Sequence, residues 1–203
     1  MFNKYSKIKC WKNVTGLQSA EDVLAQNNVK NIEIGQINGE FNDHFDPKEN
    51  KISLSSSIYS ENSIAAVGIA AHEAGHAVQH NKKYGFIKVR QSLVPVTQIC
   101  STLAMPLVFI GLILPVQYSF VINFGILLFG VAVLFQLVTL PVEFDASHRG
   151  MAALRSSGNF TEEELYGAKK ILSAAAMTYV AALFTSLITL LRLIFLASRR
   201  RND

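Results

Sequence analysis

Charged residues are scarce in this 203-residue chain, in which 17% of positions are Asp, Glu, Lys or Arg and 50% are hydrophobic. The scarcity is concentrated, because residues 91–142 and residues 171–191 contain no charged side chain at all. Soluble domains carry charge on about 25% of their residues. The composition therefore excludes an ordinary soluble domain and indicates a mainly α integral membrane protein.

Two further absences limit the function. The two cysteines, Cys10 and Cys100, form no C-x-x-C pair, and Cys100 lies inside an apolar run. We therefore expect no disulfide between them, and both to be reduced and structural. The net charge is +4, but the basic residues flank the apolar runs instead of forming a stripe interleaved with aromatics. We therefore expect a lipid bilayer as partner and no nucleic acid.

The first 60 residues predict a small α+β unit. Residues 1–9 are basic without an apolar run behind them, so we expect no cleavable signal peptide. Ser19 is predicted to cap a helix that ends near Gln26. Residues 31–37 and 51–55 alternate apolar and polar side chains, as half-buried strands do, and the turn residues between them predict an antiparallel pair. The second strand would offer an edge to an extended peptide, although an ordinary two-stranded sheet is an equal alternative.

The uncharged runs predict about three transmembrane helices. A spanning helix needs about 20 residues, so residues 91–142 fit a hairpin of two, at 93–114 with a kink at Pro106 and at 124–140, joined by a turn over 115–123. Thr161 and Glu164 form a capping box that opens a helix leading into a third span over 171–191. The predicted division is 1–90, an α+β region; 91–142, a transmembrane hairpin; 143–170, a linking segment with a helix; and 171–203, a transmembrane helix with a basic tail.

An H-E-x-x-H pattern lies in the alanine-rich stretch before the first span. Positions four apart lie on one face of a helix, so the imidazoles of His72 and His76 can bind one zinc ion. Glu73 points about a quarter turn away, where it can take a proton from a metal-activated water instead of binding the metal. This arrangement of two ligands and a base is that of zinc peptidases.

The third ligand comes from elsewhere in the chain. A transmembrane hairpin returns the chain to the side that it left, which makes Glu143, immediately after the second predicted span, the expected third ligand. His80 is the alternative, but three histidines on successive turns of one helix rarely give tetrahedral angles. The side chains considered as stabilisers of a peptide oxyanion are His44, Tyr59, His148 and Arg149.

Three segments together resemble a known family. Residues 43–47 read DHFDP, residues 63–67 lead into the H-E-x-x-H pattern, and residues 135–147 read FQLVTLPVEFDAS. These segments resemble the bacterial membrane zinc metallopeptidases of the YugP type, with features of zincin-type membrane peptidases. By position, the resemblance implies His72, His76 and Glu143 as ligands and Glu73 as the catalytic glutamate. Ser147 stands where related enzymes have an aspartate, and Asp145 is one candidate for orienting the histidines.

The sequence thus predicts a membrane-bound zinc endopeptidase that acts on a peptide or protein substrate. The alternative is a non-catalytic membrane protein that uses zinc as a scaffold, which would favour four protein ligands over three and a water. Basic residues around the zinc helix and between the second and third spans outnumber those after the third span. The excess predicts a multi-pass protein of the cell membrane whose zinc site faces the cytoplasm.

Overall fold

The computed structural model describes residues 1–40 and 42–202. A short 3-10 turn spans Val116–Tyr118. The other elements, in chain order, are α1 (Phe2–Tyr5), α2 (Gly16–Gln26), β1 (Glu33–Ile37), β2 (His44–Asp46), β3 (Lys51–Ser55), α3 (Ser56–Tyr59), α4 (Ile64–Asn81), α5 (Gly85–Ile113), α6 (Ser119–Ser157) and α7 (Glu162–Asn202).

The chain divides into two compact units. The first contains Met1–Tyr84 and Val142–Met177, and the second contains Gly85–Pro141 and the chain from Thr178 onward. Both α6 and α7 contribute a part of their length to each unit. The sequence analysis divided the chain into four consecutive segments. The two units group residues by packing and not by chain order, so the four-part division stays a prediction.

Helix α4 lies in the core of the first unit. Ser63 caps its start, with the Ser63 hydroxyl accepting from the amide of Ala66 at 3.2 Å. Small side chains then follow, and Ala70, Ala71 and Ala74 are fully buried. A helix that is apolar on most sides must be covered on most sides. The H-E-x-x-H pattern is therefore held in a largely buried helix of the unit.

The sheet differs from the sequence prediction. β1 and β3 occupy the predicted strand positions, but they pair in parallel, and β2 adds to β3 in antiparallel fashion, in the order β1-β3-β2. β3 is therefore central, and β2 forms an edge. β1 and β3 can run in the same direction because the chain between them is long enough to return to the end of the sheet where β1 begins. This connecting segment includes β2.

The start of α2 also differs from the prediction. Thr15 caps this helix in a capping box with Gln18, whereas Ser19 lies inside it, fully buried, and donates a hydrogen bond to the carbonyl of Val67 at 2.9 Å. Both are ordinary uses of a hydroxyl near a helix start. The Ser19 bond ties α2 to the core helix α4.

The long helices confirm the predicted membrane class. Three helical stretches, Gly85–Ile113, Val116–Ser157 and Glu162–Arg200, are long and apolar enough to cross a bilayer. The turn between the first two is shorter than predicted, because α6 begins at Ser119. The capping box of Thr161 and Glu164 is formed as predicted, with bonds of 2.7 and 3.2 Å. The side of the membrane that α4 faces stays a prediction.

Candidate metal centre

Two histidines and a glutamate converge in the first unit. His72 and His76 lie one turn apart on α4, their ring centroids 4.7 Å apart. Glu143 enters from α6, with its Oε2 atom 3.2 Å from Nε2 of His72 and 3.6 Å from Nε2 of His76. One candidate ligand atom from each of the three residues lies within 4.8 Å of the others. The structure therefore brings together the three residues that the sequence named as ligands.

The approach of α6 to α4 depends on two glycines. A Cβ atom added to Gly75 would lie 2.3 Å from the carbonyl oxygen of Ala146, and one added to Gly150 would lie 2.5 Å from that of Ala71. Both distances are far below van der Waals contact, so only glycine permits this crossing. Because Gly75 lies inside the H-E-x-x-H pattern and Ala146 lies three residues after Glu143, the crossing sets the position of Glu143 against the histidines.

Each histidine is also held at its outer nitrogen. Nδ1 of His72 lies 3.0 Å from Oγ of Ser147, and Nδ1 of His76 lies 3.0 Å from Oε1 of Gln79. An amide oxygen can only accept, so His76 donates its Nδ1–H and presents the lone pair of Nε2 to the centre of the cluster. The Ser147 contact permits the same tautomer for His72.

This tautomer makes the donor set suited to a divalent metal. Two Nε2 lone pairs and a carboxylate that is 2% exposed would face one another, an arrangement that is repulsive unless a cation or protons lie between them. Imidazole nitrogen and carboxylate oxygen are common zinc ligands, and three protein ligands are the number typical of catalytic sites. The residues present therefore fit zinc.

Gln79 is a site residue that the sequence analysis missed. It is fully buried, and besides accepting from His76 it donates from Nε2 to the carbonyl of Val142 and to Oδ2 of Asp145, both at 2.7 Å. Its spacing of three from His76 puts both on one helix face, which was the available signal. Asp145, one candidate for orienting the histidines, contacts Gln79 and Arg149 and no histidine among the described residues, while Ser147 contacts His72 directly.

Glu73 lies beside the cluster without joining it. Its carboxylate makes no hydrogen bond to protein among the residues that the structure describes, and the side chain is half-buried. Burial raises the pKa of Glu73 to about 7; the nearby His72 acts in the opposite direction, and Glu143 adds to the rise. A carboxyl group with such a pKa can both accept and release a proton near neutral pH.

The DHFDP segment supports the sheet beside the site. The Asp43 carboxylate accepts from the backbone amide of Ser55 at 2.7 Å and from its hydroxyl at 2.9 Å. Asp46 accepts from the amide of Lys48 at 2.7 Å, as in a turn. Asp43 and His44 both lie close enough to Glu73 to influence its pKa.

The remaining candidates lie in different surroundings. His80 packs against Phe45, with ring centroids 5.7 Å apart, and is not among the three clustered ligands. Arg149 donates to Asp145 at 2.6 Å and stacks over the ring of Tyr84, so its charge is already engaged. His148 is exposed and lines a cavity between α6 and α7. His44 lies near Glu73, but its Nδ1–H donates to the carbonyl of Asn42 at 2.7 Å, so the neutral ring has only an acceptor left for a substrate.

Fold and site together define a helical membrane protein with a zincin-type cluster of two histidines and a glutamate. The family model described as "Putative neutral zinc metallopeptidase" matches residues 1–198. The chain is 42% identical over 203 residues to "Putative membrane protease YugP" of Bacillus subtilis (strain 168), covering 99% of this chain and 89% of that protein. No solved structure matches significantly. The chain belongs to this neutral zinc metallopeptidase family, as the sequence segments indicated.

Proposed function

We propose that the protein is a membrane-bound zinc endopeptidase. The observation that carries the proposal is the convergence of His72, His76 and Glu143, with Glu73 beside them and free of protein hydrogen bonds in the described structure. The family membership supports the same class. The geometry favours an enzyme over a zinc scaffold, because the fourth protein ligand that a structural site usually has is not found among the described residues.

The proposed mechanism divides the work between residues that hold the metal, residues that orient the two histidines, and a general base. His72, His76 and Glu143 would hold the metal, with Ser147 and Gln79 fixing the imidazole orientations. A bound zinc ion supplies a Lewis acid for the scissile carbonyl and lowers the pKa of water towards about 7. Glu73 accepts a proton from the attacking water and delivers it to the leaving amine.

The proposed substrate is an extended peptide. β2 forms an edge of the sheet, and its residue Phe45 packs against His80 of α4, one turn beyond His76. An edge strand presents unpaired backbone groups to which a peptide can add as a further strand. The sequence predicted β3 as the edge strand that binds the peptide. Because β3 is central in the sheet, β2 is proposed for this role instead.

Metal removal tests the proposed activity. We expect purified protein to hydrolyse an unfolded protein such as fluorescently labelled casein, to lose the hydrolysis after treatment with a zinc chelator, and to regain it when zinc is added back. The reason is that Glu73 alone cannot acidify water. Hydrolysis that persists in fully chelated protein, with zinc content measured on the same sample, would contradict the proposal.

Gln79 allows a test of the groups that orient the ligands. The change Gln79→Leu keeps the approximate volume but removes the acceptor for His76 and the donors to Val142 and Asp145, so we expect zinc affinity to fall by about 10–100-fold. Zinc affinity is measured by competition with a chromogenic chelator. Gln26→Leu, at an exposed position near the end of α2, is the matched control and should bind zinc as the wild type does. Equal affinity in both variants would remove Gln79 from the site.

A further inference from the structure

A second candidate site lies in the first unit, between α6 and α7. It is a cavity of about 450 Å³ formed by one face of α6 from Phe144 to Arg155 and one face of α7 from Lys169 to Ala176. This volume falls within the range of roughly 300–1,000 Å³ that is usual for sites of small molecules. Ser147, which contacts His72, lies at the lining of the cavity, but the other lining residues have no part in the mechanism proposed above.

The cavity has an apolar wall and a basic rim. The wall is formed chiefly by Phe144, Met151, Leu172 and Ala176. The basic residues of the lining, here called the rim, are Arg155 and Lys169; His148 also lines the cavity, and the lining contains no acidic side chain. Arg155 has one partner, Glu162, at 3.2 Å, and this pair is largely exposed, whereas Lys169 makes no ion pair within the described residues. The lining therefore suits a ligand that is anionic at one end and apolar at the other.

The position of the cavity along both helices indicates where such a ligand comes from. The uncharged run of α6 ends at Val142, two residues before Phe144, and the uncharged run of α7 begins at Ile171, two residues after Lys169. Transitions from apolar to charged sequence mark the level of the lipid headgroups in membrane helices. The cavity thus begins just outside the uncharged run of α6 and extends across the start of the uncharged run of α7. It therefore adjoins the headgroup level on each helix, where bilayer lipids are the most abundant ligands of mixed character.

We propose that this cavity binds an anionic phospholipid. The phosphate lies between Arg155 and Lys169, and an acyl chain follows the apolar wall past Met151 and Leu172 towards Ala176. Basic pockets between membrane helices recognise anionic headgroups in this way. An acidic peptide would match the basic rim equally well, but it would not account for the apolar wall or for the headgroup level of the cavity.

Lipid retention in full-length protein tests the proposal. The purified protein is equilibrated in detergent micelles that contain equal amounts of phosphatidylglycerol and phosphatidylcholine, and the retained lipids are counted by native mass spectrometry. We expect preferential retention of phosphatidylglycerol, reduced about tenfold or more in the variant carrying Arg155→Ala and Lys169→Ala, because each basic residue adds to the attraction. Lys170→Ala is the matched control, since Lys170 is the next residue of α7, is exposed, and does not line the cavity.

Two further experiments test whether a ligand other than a phospholipid occupies the cavity. Ala152→Phe fills the cavity while keeping its charges, so it should also lose the retained phosphatidylglycerol. Excess inorganic phosphate or an acidic peptide should not displace the lipid. Equal retention of the two lipids by the wild type, an equal loss in Lys170→Ala, or displacement by phosphate or peptide would overturn the proposal. None of these readouts depends on peptide hydrolysis.

Discussion

Glu73→Gln is expected to lower peptide hydrolysis by about 10²–10⁴-fold, the range that a positioned acid–base group contributes, while leaving zinc content unchanged. The amide retains the size of the side chain but cannot accept the proton of water. Glu73 is not one of the three clustered ligands, so the metal should stay bound. The measurement is the hydrolysis rate together with zinc per chain in the same preparation.

The control for this variant is Glu163→Gln. Glu163 is an exposed glutamate in the first turn of α7, so the same loss of one negative charge occurs outside the site. Wild-type rates are expected for it. A Glu73→Gln protein that hydrolysed substrate as fast as the wild type would contradict the role of Glu73 as base.

Gly75→Ala is expected to damage the site through the backbone. Alanine is preferred over glycine in helices by roughly 0.5–1 kcal/mol, so a helix judged in isolation predicts stabilisation. The Cβ atom, however, would lie 2.3 Å from the carbonyl oxygen of Ala146, and relief of such overlap typically costs about 1–3 kcal/mol, occasionally more. We expect a lower free energy of unfolding and a loss of zinc affinity, because α6 must move and takes Glu143 with it.

Gly130→Ala provides the opposite case. Gly130 lies inside α6, and a Cβ atom there meets nothing within 4 Å, so stability and zinc affinity should stay at or slightly above the wild-type values. Thermal unfolding and chelator competition on both variants give the comparison. If Gly75→Ala bound zinc as tightly as Gly130→Ala, the crossing of α4 and α6 would not be what positions Glu143.

The parts of the fold that the sequence predicted are those encoded locally. The apolar runs specify the spans because a bilayer requires about 20 uncharged residues. The helical spacing of His72 and His76 brings their side chains to one face of α4. The capping box of Thr161 and Glu164 is likewise a pattern of neighbouring residues. Glu143 is the long-range exception, predicted because a hairpin returns the chain to its starting side.

The parts that were missed depend on tertiary contacts. β2 has three residues, too few to show an alternating pattern, so the pairing of β1 and β3 appeared antiparallel. Ser19 resembles a helix cap, but its hydroxyl bonds to Val67 in the core. Gln79 is unremarkable in sequence, because its partners on α6 are more than 60 residues away. Short strands and buried polar networks are recognisable only once the helices are packed.

Zinc content of the full-length protein, measured for the wild type and for Glu143→Ala in parallel, tests the central claim most directly. We predict about one zinc per chain in the wild type and a clear loss in the variant, since two histidines alone leave the site without its carboxylate. The cluster distances of 3.2 and 3.6 Å from Glu143 to the two histidines are the basis for this prediction. Full zinc in both proteins would contradict the assignment of Glu143, and no zinc in either would contradict the metal centre itself.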